Sequence, residues 1–212
     1  MLISTDSWAA DDEQNIRFYT ALVERYGLDV RSLNWGSRTS QELRFAVLAR
    51  GGNLHGASLL DVGCGVGDLQ AWLREQNIDV TYTGLDITPA MIDRARRRFP
   101  EGQFLVGSLV DPPDELAAQY DVVFASGIFY FRKHDCRAYM HDTVARMFSR
   151  CRYFAAFNSL SAWSNEQDPV EYYADPLETL NVCRALTPWV TLRHDYHSGD
   201  FSIFLYRERQ LL

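Results

Sequence analysis

The chain has 212 residues, 47% apolar and 23% charged, which suits one domain around a sizeable core. A formal net charge of -7 argues against a broad nucleic-acid surface, because holding phosphates needs a concentrated basic face. No run reaches the roughly 18 apolar residues that span a membrane, and the acidic start MLISTDSWAADDEQN shows no targeting signal, so a cytoplasmic protein is expected.

Two helices are predicted first. Asp11 to Tyr26 puts Ile16, Tyr19, Val23 and Tyr26 on one face and stops at Gly27, and Thr39 to Arg50 opens on a Thr39–Glu42 capping box and stops at Gly51. They make residues 1–56 a helical cap on a sheet core of residues 57–212. The core begins with a strand from Ser58 to Val62, a glycine turn, and a helix from Asp68 to about Gln76 that shows Leu69, Trp72 and Leu73 to the sheet. A second strand ends at Asp86. Thr88-Pro89 then opens a helix, followed by a strand at Gln103 to Val106, a short helix near Asp114 to Ala118, and a buried strand from Asp121 to Ala125. A helix from Asp135 to Phe148, a strand from Arg152 to Phe157, and a helix opened by Asp175-Pro176 and ending near Thr187 come next. Val190 to His194 and Ser202 to Tyr206 close the chain as two strands around a turn at His197 to Asp200. The count is seven strands.

The chemistry lies between Leu59 and Asp86. Gly63, Gly65 and Gly67 allow positive φ and let a ligand approach main chain, and the helix behind them offers unpaired N–H groups. Asp86, 19 residues past Gly67, falls at the end of the next strand, facing the same crevice, where a carboxylate can accept from both hydroxyls of a ribose. Two nucleoside readings compete: a dinucleotide turn, G-x-G-x-x-G, and a methyl-donor turn, [DE]-x-G-x-G-x-G. Here the glycines alternate after Asp61, and Asp68 stands where a pyrophosphate wants its third glycine. The second pattern fits better.

DVGCGVGDL, YTGLDITPAMIDRARRRF, YDVVFASGIFYF and the tail HDYHSGDFSIFLYR together resemble the class I S-adenosylmethionine-dependent methyltransferase family over roughly residues 57 to 207. The segment NWGSRTSQELRF is similar to the lead-in of a group of small bacterial methyltransferases. The resemblance implies an α/β fold with a Rossmann-like seven-stranded sheet, mostly parallel with the last strand antiparallel, helices on both faces, and S-adenosylmethionine as cofactor. It also implies that Asp61 helps hold the donor's amino group, directly or through water. Asp86 would take the ribose and Ile87 an apolar face for adenine. Ser108 stands where the family often has an Asp, which leaves adenine to its hydroxyl and the Leu109 backbone. Ser126 and Gly127, with Gly63, Cys64, Gly65 and Gly67, would line the donor's methionine portion and its meeting point with the acceptor.

Cys64 reads as a small residue filling the turn, and the four cysteines show no C-x-x-C spacing. In the cap, Trp35, Gln41 and Arg44 precede the first strand; Arg44 suits either the donor's carboxylate or a surface salt bridge. Tyr130, His134 and Asn158 leave strand ends on the side where open α/β sheets bind ligands, and His134 is the candidate general base with Tyr130 beside it. His194 and Tyr196, at the sixth strand, are more readily structural. The basic run Arg94, Arg96, Arg97 and Arg98 reads as a solvated helix face.

A sulfonium methyl needs alignment and a dry site rather than an obligatory base. The planar-nitrogen tetrapeptide [DN]-P-P-[FYW] is absent after the fourth strand, and Asp111-Pro112-Pro113-Asp114 reads as a turn. Aromatic residues in the cap and loops favour a small or mid-sized, partly apolar acceptor. A methyltransferase of RNA or protein and a non-catalytic nucleoside-binding module stay open beside it.

Overall fold

The computed structural model describes residues 8–34, 36–131 and 134–210. Seven strands form a single sheet in the order β3-β2-β1-β4-β5-β7-β6. They are β1 (Ala57–Val62), β2 (Val80–Asp86), β3 (Gln103–Val106), β4 (Tyr120–Ala125), β5 (Cys151–Leu160), β6 (Val190–Arg193) and β7 (Asp200–Tyr206). All pairings are parallel except those of β7 with β5 and β6. The predicted fold and closing hairpin are therefore those of the molecule.

Six α-helices accompany the strands among the described residues: α1 (Ala9–Tyr26), α2 (Arg38–Ala49), α3 (Asp68–Glu75), α4 (Pro89–Arg98), α5 (Cys136–Arg150) and α6 (Pro176–Leu186). The inner strands read as unbroken apolar runs because both their faces are covered. Leu60, Val123, Ala155 and Ile203 pack toward Met140, Val144 and Met147 of α5. Leu59, Val122, Phe124 and Ala156 face the other way, toward Leu48 of α2, Trp72 and Leu73 of α3, and Ile92 of α4.

Register sets the site. Val62 of β1 pairs with Leu85 of β2 and with Ala125 of β4, so Gly63, Asp86 and Ser126 leave the sheet side by side. The chain runs outward from β1 to β3 and returns to β4, making β1 the point where the winding reverses, and ligands of open α/β sheets bind there.

Several local expectations change. Ser37, not Thr39, caps α2, its hydroxyl accepting from the Ser40 N–H at 3.1 Å, while Glu42 pairs with Arg38. No helix forms at Asp114 to Ala118; a single turn bond from the Leu116 N–H to the Pro113 carbonyl stands there. A short 3₁₀ turn, Val30–Leu33, capped by Asp29, adds an element beyond the predicted ones. β5 runs on to Leu160, so Asn158 lies within a strand, opposite Ser202 of β7, and not in a loop.

Candidate active site

The glycine turn is tied to β2 by its own backbone. The N–H groups of Gly63 and Cys64 both donate to the Leu85 carbonyl, at 2.7 and 3.1 Å. Gly63 and Gly65 hold φ of +74° and +54°, and a Cβ would strike Ile128 at the first and Leu33 at the second. Gly67 serves packing instead. It heads α3, and a Cβ there would meet Phe99 and Phe104, away from the cleft.

Asp86 proves to be a hub of this turn. One carboxylate oxygen accepts from the Gly65 N–H at 3.0 Å and the other from the Thr88 N–H at 2.8 Å. Burial pushes its pKa up, against the pull of those two N–H groups. Each oxygen keeps a second lone pair, and the residue lines the cleft. Asp61 lies deeper, 3% exposed, where the Tyr82 hydroxyl donates to it at 2.5 Å. Burial raises its pKa to about 7, with the Tyr82 bond opposing and the Asp86 and Asp68 charges reinforcing the rise.

These groups bound a cleft of about 1030 Å³, its mouth included, which also collects Cys64, Ile87, Ser108, Leu109, Ser126 and Gly127. The Ser108 hydroxyl oxygen accepts from the N–H groups of Val110 and Asp111, folding the predicted Asp-Pro-Pro turn beneath it. Burial pushes the Cys64 thiol well up, which suits a filler and not a nucleophile. Asp68 is held by the Arg98 guanidinium at 2.5 Å, so one member of the basic run serves the start of α3.

The cap roofs the cleft with Asn15 and Tyr19 of α1, Leu33, and Gln41 and Phe45 of α2. Asn15, and Tyr139 and Thr143 of α5, are lining residues that sequence reasoning misses. Their signal lies in the spacing: each pair, Asn15 with Tyr19 and Tyr139 with Thr143, is four apart on one helix face.

A second cavity of about 650 Å³, mouth included, adjoins the first, sharing Leu33 and Gly127 with it. Tyr130, Arg44, Asn158, Ser159 and Glu171 line it. The Tyr130 and Tyr19 hydroxyls share a hydrogen bond of 2.5 Å, one from each cavity. Arg44 does not reach the first cavity: its guanidinium forms a buried ion pair with Asp200 and donates to the Ser40 carbonyl at 2.7 Å. His134 is a correction as well. It is exposed, lines neither cavity, and donates its backbone N–H to Asp11 at 3.0 Å. His194 shares a hydrogen bond of 2.7 Å with Ser161 and stacks on Trp163, and Tyr196 bonds Ser202, so both are structural. Trp35 lies outside the described residues.

Comparison with known proteins points one way. A family model described as a methyltransferase domain matches residues 60–152. A Mycobacterium tuberculosis protein described as a methyltransferase is 32% identical over 155 residues, covering 70% of this chain and 92% of its own length. Magnesium protoporphyrin IX methyltransferase from Synechocystis PCC 6803, solved with bound S-adenosylhomocysteine, superposes with a TM-score of 0.62 at 13% identity, over 96% of this chain and 97% of that one. DhpI, also complexed with S-adenosylhomocysteine, gives 0.65 at 18% identity, over 95% and 97%. Sequence kinship across nearly the whole of the mycobacterial relative, joined to this strand order, places the chain in the class I S-adenosylmethionine-dependent methyltransferase family, as an enzyme whose donor is S-adenosylmethionine.

Proposed function

We propose that the enzyme methylates a small-molecule acceptor seated in the second cavity, with the donor in the glycine-bounded cleft beside it. One observation carries this reading: the two cavities meet at Leu33 and Gly127, where β1 and β4 end and β5 runs on past them. The net charge of -7 disfavours RNA. We take the helical cap and sheet core to work as one domain.

The residues fit the donor's chemistry. The spare lone pairs of Asp86 can take sugar hydroxyls, Ile87 and Leu109 offer an apolar slot with the Ser108 hydroxyl at its end, and Asp61 can face an ammonium. The positive φ of Gly63 and Gly65 turns the main chain out of β1 toward the cleft, with Ile128 and Leu33 packed against the turn. When bound, S-adenosylmethionine supplies a methyl on a positively charged sulfur. The protein's part is to hold both partners in line and keep water out. Tyr130 faces the acceptor cavity, and burial raises its pKa, so it orients the acceptor by donating a hydrogen bond and does not remove a proton.

Incubating the purified enzyme with labelled donor and a metabolite extract should yield a small molecule one methyl heavier. Label found only in RNA or protein would overturn the acceptor class. In Asp86→Ala, affinity for S-adenosylhomocysteine should fall about 10- to 100-fold, since sugar contacts and the Gly65 tether go together; unchanged calorimetric affinity would remove the sugar role.

A further inference from the structure

The wall between the two cavities contains a hydrogen-bond relay whose polarity can be read from chemistry alone. The Gly127 N–H donates to the Asn158 side-chain oxygen at 2.9 Å. A backbone N–H can only donate, so this bond fixes which end of the amide is oxygen. The other end, Nδ2, must then donate to Ser126 Oγ, also at 2.9 Å. Asn158 is 2% exposed, and both ends of its amide are engaged on one turn.

The consequence falls on Ser126. Its oxygen receives a hydrogen from Asn158, while its own O–H has no acceptor among the described residues and the side chain lines the donor cleft. We infer that Asn158 is a positioning residue that turns the Ser126 hydroxyl into a hydrogen-bond donor aimed into the cleft, where it meets the carboxylate of S-adenosylmethionine. This rests on the donor placement proposed above. The two acids of the cleft, Asp61 and Asp86, accept when ionised and so suit the ammonium and the sugar hydroxyls, leaving the carboxylate to find a donor. Ammonium and carboxylate sit on one carbon, so their partners must be neighbours. Asp61 is paired in register with Phe124, and Ser126 is two residues beyond that partner.

Asn158→Asp tests the relay. A carboxylate can still accept from Gly127, but it would also accept from Ser126, reversing the hydroxyl and leaving only lone pairs toward the cleft. Calorimetry with two probes separates this from general damage: S-adenosylhomocysteine carries the carboxylate, and 5′-methylthioadenosine lacks the whole amino-acid tail. In Ser126→Ala and Asn158→Asp, affinity for the first should fall about 10- to 100-fold, the range for a lost hydrogen bond to a charged group, and affinity for the second should hold. In the double variant the loss should be no greater than in Ser126→Ala alone. Equal losses for both probes, or a further loss in the double variant, overturn the relay; failure of either probe to bind the native enzyme overturns the donor placement instead. Should Asn158→Asp not fold, proton NMR of the native protein decides. The Ser126 hydroxyl proton should resist exchange with S-adenosylhomocysteine bound and not with methylthioadenosine, and equal behaviour with both would refute the proposal.

Discussion

Asp61 and Asp86 show how one residue type meets two environments within a single cleft. Asp86 has two backbone N–H partners, whereas Asp61 has one phenol and a deep burial that raises its pKa to about 7. Because the folded protein holds this proton at pH values where an unfolded aspartate has lost it, stability should fall as pH rises from the ordinary aspartate range toward 7. Donor binding should move the opposite way, tightening about tenfold between pH 6 and 8 as the carboxylate becomes available to a cation. Thermal melts and calorimetry across that range should show both slopes, and Asp61→Asn should flatten both. A native-like slope in that variant would assign the titration elsewhere.

At the scale of elements, the buried pair of Arg44 and Asp200 joins α2 to the start of β7, across 156 positions of sequence. Burial pushes the Asp200 carboxyl up while the Arg44 guanidinium pulls it down. Removing one partner leaves an uncompensated charge, so Arg44→Ala should lower the unfolding free energy by about 3–5 kcal/mol. Arg44→Met with Asp200→Leu should recover most of that in denaturant titration. A single variant as stable as the native chain would show that the pair does not hold the cap. The glycine turn and the buried strands are legible because backbone need and two-sided burial are written into adjacent residues. Arg44 is not, since its partner comes from a strand far along the chain. Nor is the cap of α2: Ser37 and Thr39 both offer hydroxyls within one turn, and only the observed chain entry makes Ser37 the one facing the Ser40 N–H. The segment after Pro113 is helical in composition, yet one turn bond gives too little return on a helix nucleus.

For the molecule as a whole, α1 closes over the cleft through contacts at several points along its length. Val23 packs with Val66 and Met91, Trp8 meets the edge of Tyr139 at 5.6 Å between centroids, and Tyr19 reaches Tyr130. Tyr19→Phe removes the last of these and should weaken cap closure by about 1 kcal/mol, seen as faster amide exchange in α1 and severalfold faster release of S-adenosylhomocysteine. Unchanged exchange would show that the Tyr19–Tyr130 bond does not hold α1 down. No helix among the described residues is long and apolar enough to cross a membrane.

The order of strands, the glycine turn, and the two acids of the glycine-bounded cleft were determined by the sequence itself. Each depends on interactions within a single strand, helix or βαβ unit, whose periodicity and turn chemistry are local. The second cavity, the engagement of Arg44 with Asp200, the exclusion of His134, and the bonds of Asn158 to Ser126 and Gly127 were decided by tertiary structure. Each depends on which distant groups the sheet register and the cap bring within hydrogen-bond reach.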